Sequence, residues 1–279
     1  MSATAPERTQ APFGVRTLRV TGREEHGAYV VLRASDRIGP APQAGQFYML
    51  RAAERWGGGP GERPFLPRAF SVMRVEAGPD ALELQFLLEA VGPGTERLGE
   101  LHEPDGLSVL GPLGRGFSAP RAGRSALLVG GGVGIAPLAI WQDQLGPATP
   151  VLLGFRDADH AVGARLLSGA SVATDDGSAG HPGLVTELLE RELDADPHRE
   201  LYVCGPPAML EAVRAVCAER EIPAQLALEA GMACGFGACF GCVVPTAQGL
   251  IRLCLEGPVL DAAQLSAETF SVPGMGHGG

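Results

Sequence analysis

The sequence predicts a multidomain α+β chain: an antiparallel β-barrel, a parallel α/β domain and a small C-terminal module built on cysteines. Three observations predict it. Short strand-like segments with frequent turns run from Val15 onward, with no convincing helix before about residue 95. After Ser125 the apolar run Ala126-Leu127-Leu128-Val129 leads into a glycine turn, and strands then alternate with helices, the pattern of a parallel sheet. Near the end stands Cys234-x4-Cys239-x2-Cys242, with Cys254 following after eleven intervening residues.

In the first domain, expected over residues 14–121, strands are read at 17–20, 29–33, 46–51, 68–73 and 82–88. The last begins with the strict alternation of a half-buried strand. Residues 53–67 are rich in Gly, Pro and Arg and read as a surface loop, and residues 1–13 as a loose tail. In the second domain, expected over 122–223, strands are read at 126–129, 151–155, 171–174 and 200–204. Helices are read from Leu138, over 184–193 and over 208–220. The cysteine module is expected over 224–265, and residues 266–279 form a tail whose last six residues read as disordered.

Composition bounds the function. The chain has 279 residues, a net charge of −10 and 45% apolar residues, enough for a sizeable core in about two domains. The acidic balance argues against nucleic acid or an anionic membrane surface as a partner. All 22 basic residues are Arg, a bias we assign to coding composition. Met1–Gly14 lacks an apolar core, so no signal peptide is read. The two long runs free of charge, 125–142 and 230–251, are broken by Gly and Pro, so no membrane helix is read and a soluble cytoplasmic protein is expected.

The cysteine spacing is that of thiolates holding a plant-type 2Fe-2S cluster. The glycines between the first three thiols let backbone amides approach sulfur. Structural zinc is the competing reading, but its ligands come in paired knuckles, whereas Cys254 stands alone. A disulfide framework does not suit so long a chain without a secretory signal.

Gly130–Gly134 sits between a buried strand and a helix start, with Gly131, Gly132 and Gly134 as candidate contacts to a pyrophosphate, or else a simple tight turn. Asp157 and Asp159, about 20 residues on, either suit a ribose 2′-hydroxyl, favouring NAD over NADP with Arg156 beside them as the contrary signal, or are two surface acids of a loop. Cys204 ends a strand and either faces a nicotinamide or is an inert buried thiol. Arg68-Ala69-Phe70-Ser71 and Gly92-Pro93-Gly94-Thr95 together offer a guanidinium, hydroxyls and free amides for a flavin dinucleotide.

These motifs, with Gly111-Pro112-Leu113-Gly114-Arg115-Gly116-Phe117 and Cys204-Gly205-Pro206, stand in the order found in the ferredoxin reductase-like superfamily. Over residues 14–265 the chain most resembles the electron-transfer subunits of NAD-dependent dihydroorotate dehydrogenases. The resemblance implies an FAD-binding barrel, an NAD-binding α/β domain and a terminal 2Fe-2S module. It also implies a hetero-oligomer with an FMN-containing catalytic subunit that oxidises dihydroorotate in pyrimidine biosynthesis. Carried over by position, FAD contacts fall on Arg68, Ala69, Phe70 and Ser71, and on Leu87, Leu88, Glu89, Gly94 and Thr95. Cluster ligands fall on Cys234, Cys239, Cys242 and Cys254. Position 69 is often Pro in the family, and Leu88-Glu89 stands where relatives often have Tyr-Arg, which leaves backbone rather than side-chain flavin contacts there. No side chain is required as a catalytic acid or base. A related reductase serving a hydrogenase, a sulfide-linked reductase or a ferredoxin system is the alternative.

Overall fold

The computed structural model describes residues 14–57 and 66–271. The tail expected over 1–13, most of the 53–67 loop and the last eight residues lie outside the described residues.

Six antiparallel strands close the barrel: β1 (Arg16–His26), β2 (Tyr29–Asp36), β3 (Phe47–Ala52), β4 (Arg68–Ala77), β5 (Leu82–Glu89) and, after the short helix α1 (Pro93–Gly99), β6 (Gly106–Leu113). They are ordered β1-β2-β5-β4-β3-β6. Closure leaves no free edge. β2 and β5 pair in unbroken register from Tyr29 opposite Glu89 to Asp36 opposite Leu82. The interior is filled by large side chains such as Tyr48, Phe86, Leu32 and Leu84, all fully buried, with Tyr48 and Phe86 edge to face at 5.4 Å.

The second unit starts with β7 (Ser125–Gly131), a 3-10 turn (Gly132–Ile135) and α2 (Ala136–Leu145). Then come β8 (Val151–Phe155), α3 (Ala158–Ala161), β9 (Ala170–Thr174), β10 (His181–Pro182), α4 (Val185–Ala195), β11 (Arg199–Cys204), α5 (Pro207–Glu219) and β12 (Ala224–Ala227). A hairpin of β13 (Val243–Thr246) and β14 (Gly249–Arg252), the single turn α6 (Leu253–Glu256) and β15 (Val259–Asp261) follow. The large sheet is ordered β10-β9-β8-β7-β11-β12-β15. Its first six strands run parallel, and β15 pairs antiparallel to β12. The division expected between 223 and 224 therefore falls ahead of β12, a strand of this sheet, and the last strand of the cysteine segment also returns to it.

Strand order reverses at β7: the chain moves outward through β8 and β9, then returns to lay β11 on the other side. Such a switch point opens a crevice at the carboxyl ends of the two central strands. Gly130–Gly134 and Cys204–Pro206 both lie there. The barrel closes over it, because α2 packs on β4, with Arg74 Nε donating to Asp143 Oδ2 at 2.8 Å. Phe117, on the connection between the units, packs tilted against Trp141 of α2 at 5.9 Å and edge to face on Tyr202 of β11 at 5.5 Å. No helix among the described residues is long and apolar enough to cross a membrane.

Candidate cofactor clefts and thiolate centre

Two cavities meet between the barrel and the parallel sheet. The first, about 230 Å3, is walled by Ala69, Phe70 and Ser71 of β4, Leu87 and Glu89 of β5, and Thr95 of α1. Its far side is the glycine turn Gly131–Gly134 with Gly205 and Pro206. The second, about 400 Å3, lies over the ends of β7, β8 and β9. Glu89, Gly131, Gly132 and Pro206 line both. Nine of the sequence-expected cofactor residues thus share one cavity wall: Ala69, Phe70, Ser71, Leu87, Glu89, Thr95, Gly131, Gly132 and Gly134. Strand alternation explains the exception at Leu88, whose side chain turns away from its neighbours and is 1% exposed.

Arg68 lies just outside the cavity, over the start of α1. A Cβ on Gly94 would sit 2.9 Å from its Nε, so glycine leaves the guanidinium room to lie against the helix start. The guanidinium donates to the Leu66 carbonyl at 2.7 Å and has no carboxylate partner among the described residues. Burial lowers its pKa. A half-buried cation without a counter-charge, beside the free amides of a helix start, suits a phosphate or pyrophosphate. The Thr95 hydroxyl is already engaged, accepting from the Val91 and Gly92 amides at 2.9 and 3.1 Å.

Gly134 has no room for a side chain: a Cβ there would lie 2.5 Å from the carbonyl carbon and oxygen of Cys204. That contact holds the turn against β11 and leaves the Gly131 and Gly132 walls open to a ligand. Gly134→Ala is accordingly expected to push the turn off β11 and weaken NADH binding by about 10-fold or more, read as a rise in KM. Cys204 is 1% exposed, and burial, with Glu229 nearby, pushes its thiol well up. It lines neither cavity; Gly205 and Pro206 after it do.

Sequence reasoning missed three polar residues. Glu229 lines the first cavity without a hydrogen-bond partner among the described residues, and burial raises its carboxyl above the ordinary range. The only signal for it was a carboxylate following an apolar strand. Asp175, after β9, lines the second cavity. His160 lies at that cavity's wall, 8% exposed, with Nδ1 2.6 Å from Asp157 Oδ1 and Nε2 3.3 Å from Glu89 Oε1. Of the two acids picked for a ribose, Asp157 caps α3 by accepting from the His160 amide, and Asp159 is exposed.

The cysteine loop is folded against the barrel. Gly235 and Gly237 adopt φ of 77° and 87°, and side chains there would strike Met49 of β3 and Leu255 of α6. Phe240 takes φ of 60°, a strained choice for an aromatic residue, beneath the Arg252 guanidinium 5.0 Å from its ring. The four thiols fall into two pairs. Cys234 neighbours Cys239, and Cys242 neighbours Cys254. Cys239 is exposed, while Cys242 and Cys254 are 3% and 0% exposed. Burial pushes the Cys234 thiol up, but the Cys239 and Phe236 amides more than reverse it, to about 7. The Cys254 hydrogen bond lowers Cys242 to about 6, and the same bond raises Cys254. Each pair thus readily supplies a thiolate.

A single tetrahedral metal gathers all its ligands at one point. Among the described residues no three His, Cys, Asp or Glu converge in that way. Four thiols gathered in one loop and the turn after its hairpin suit a two-iron cluster, in which each iron takes two protein sulfurs.

The fold and the cysteine segment together define an iron–sulfur electron-transfer protein on a ferredoxin reductase-like frame. In overall structure the chain is similar to an NADH-dependent reduced ferredoxin-NADP oxidoreductase, with a TM-score of 0.74 over 93% of both chains at 24% identity. It is also similar to a ferredoxin NADP+ reductase from Neisseria gonorrhoeae solved with FAD and NADP, with a TM-score of 0.57 over 74% of this chain and 91% of that one at 19% identity. These likenesses show the fold. Residues 229–266 match the iron-sulfur cluster binding domain of dihydroorotate dehydrogenase B. The dihydroorotate dehydrogenase B (NAD(+)) electron transfer subunit of Desulforamulus reducens is 38% identical over 213 residues, 72% of this chain and 80% of that protein. The Bacillus velezensis subunit is 37% identical over 73% of this chain and 81% of its own length. The chain belongs to this family of electron transfer subunits.

Proposed function

We propose that this chain passes electrons from an FMN-containing subunit that oxidises dihydroorotate to NAD+, in the cytoplasm, as a step of pyrimidine biosynthesis. FAD would occupy the cleft between β4, β5 and the glycine turn, NAD+ the adjoining strand-end cavity, and a 2Fe-2S cluster the four thiols. When bound, the flavin supplies exchange between a two-electron hydride carrier and a one-electron cluster, which neither can provide alone. The observation that carries the reading is the shared wall: Glu89, Gly131, Gly132 and Pro206 line both cavities, so a flavin and a nicotinamide would meet across them.

The chain's own groups bind and position. Arg68 offers a counter-charge to the flavin's pyrophosphate, and Phe70, Ser71 and Leu87 form the wall on which the ring would lie. Gly131, Gly132 and Gly134 bring backbone close to the dinucleotide. Cys234, Cys239, Cys242 and Cys254 hold the cluster. Arg68→Ala is expected to weaken FAD retention by about 10- to 100-fold, measured as flavin released on dilution, while the cluster absorbance is unchanged.

The whole reading is tested on the tagged protein recovered from its own cells. An eluate that contains a second flavin subunit, absorbs as FAD plus 2Fe-2S and reduces NAD+ with dihydroorotate supports it. An eluate that oxidises NADH but ignores dihydroorotate keeps the reductase chemistry and rejects the partner. A colourless zinc protein rejects the cluster.

A further inference from the structure

A dinucleotide site of this kind carries two opposed signals just past its second strand. An acid there binds the ribose 2′-hydroxyl of NAD, while an arginine accommodates the 2′-phosphate of NADP. This chain has both, Arg156 and Asp157, directly after β8. The structure shows where the guanidinium is committed. Arg156 Nη2 donates to Glu89 Oε1 at 2.7 Å, and its Nε lies 3.8 Å from Asp157 Oδ2. Glu89 is not a neighbour in sequence: it ends β5 of the barrel and reaches across the crevice, its side chain 19% exposed. His160 sits beside the pair, 3.3 Å from the same Glu89 oxygen, and packs edge to face on Tyr29 at 5.7 Å. Tyr29, Glu89, Arg156, His160 and Asp175 all line the strand-end cavity. Glu89 and Asp157 both contact the one guanidinium, and Asp175 shares the cavity wall with it.

We infer that Glu89, extended from the barrel, sets the preference for NAD over NADP by holding Arg156 out of reach of a 2′-phosphate. The inference rests on the reading of this cavity as the dinucleotide site. A 2′-phosphate brings about two further negative charges into a region already acidic, and its natural partner is spent on Glu89. A bare ribose diol meets no such opposition, and Asp175 on the cavity wall remains as an acceptor for it. Arg156 is 62% exposed at its side chain, and besides Glu89 it meets the His160 ring and, at 3.8 Å, Asp157, so Glu89 supplies its one close carboxylate contact among the described residues. Selectivity is then a property of the junction between the two units and not of the sheet domain alone.

The test uses the holoprotein in its complex, with two adenosine fragments as probes, 5′-AMP and 2′,5′-ADP, and calorimetry as the readout. Flavin content is measured for every variant, so that loss of FAD is not mistaken for altered selectivity. Wild type is expected to bind 2′,5′-ADP no better than 5′-AMP. Glu89→Gln is expected to tighten 2′,5′-ADP by about 10-fold relative to 5′-AMP, and to raise the NADPH to NADH ratio of kcat/KM in parallel. Adding Arg156→Ala to that variant should remove the gain. An unchanged ratio in Glu89→Gln, or a gain that survives Arg156→Ala, overturns the inference. If wild type binds neither fragment and NADH does not bleach its flavin, the dinucleotide reading of the cavity falls, and this inference with it.

Discussion

Replacing Cys239 with Ser is expected to lower dihydroorotate-dependent NAD+ reduction by the assembled complex by more than about 100-fold, because a hydroxyl is not a thiolate at neutral pH. The bleaching of the flavin by NADH should survive. Cys239 is the choice among the four because it is exposed and touches little else: its sulfur accepts from the Gly241 amide at 3.4 Å and meets Cys234. Its loss therefore leaves the packing of the loop on β3 and α6 intact. Cys242 and Cys254 are fully enclosed, and Leu253 donates to the Cys242 carbonyl at 3.1 Å. Serine at either would confound loss of the cluster with loss of fold. The two activities are measured on one preparation, with visible absorption reporting the cluster and the flavin separately. If Cys239→Ser removes both activities while the flavin and fold are intact, the assignment of the cluster to the dihydroorotate side is wrong.

The features legible in the sequence were those fixed by local chemistry. The cysteine spacing, the buried run before Gly130 and the alternation in β5 each follow from short-range rules, and the structure places them in a thiol centre, a central strand and a barrel wall. What was not legible depends on contacts distant in the chain. β6 was hidden because Gly106–Leu113 holds two glycines and a proline, which read as a motif loop; in the barrel it pairs with both β1 and β3. β15 is three residues long and exists because β12 offers it an edge. The Glu89–Arg156 contact spans 67 positions, and no pattern in either segment signals the other. Glu229 and Asp175 were passed over for the same reason, since their significance comes from the cavity they face.

The barrel itself hangs on one buried ion pair, and its removal carries the second large expected effect. Arg16 of β1 donates to Asp36 Oδ2 from Nε at 2.9 Å and from Nη2 at 2.5 Å, and to the Gly111 carbonyl from Nη1 at 2.8 Å. The Asp36 side chain is fully buried, and its other oxygen accepts from the Ile38 and Gly39 amides. Every partner is satisfied, so the pair ties the start of β1, the end of β2 and the turn after them to β6. Asp36→Asn leaves a buried guanidinium without its counter-charge and is expected to destabilise the fold by about 3–5 kcal/mol. At about 2–4 °C per kcal/mol for a chain approaching this size, the melting temperature should fall by about 10 °C. Replacing both residues with apolar ones, Arg16→Met with Asp36→Leu, should recover most of that loss, because the desolvation cost goes with the charges. The pH dependence has a definite sign. Burial alone would raise the Asp36 carboxyl, but the Arg16 hydrogen bonds and the Gly39 and Ile38 amides outweigh it and hold it below the ordinary carboxylate value. A group depressed in the folded state stabilises above its unfolded pKa, and that contribution is lost as pH falls through the folded value. The stability gap between wild type and Asp36→Asn should therefore be constant from neutral pH down to about 4 and shrink below it. A gap that instead closes between pH 8 and 6 would assign the effect to another group.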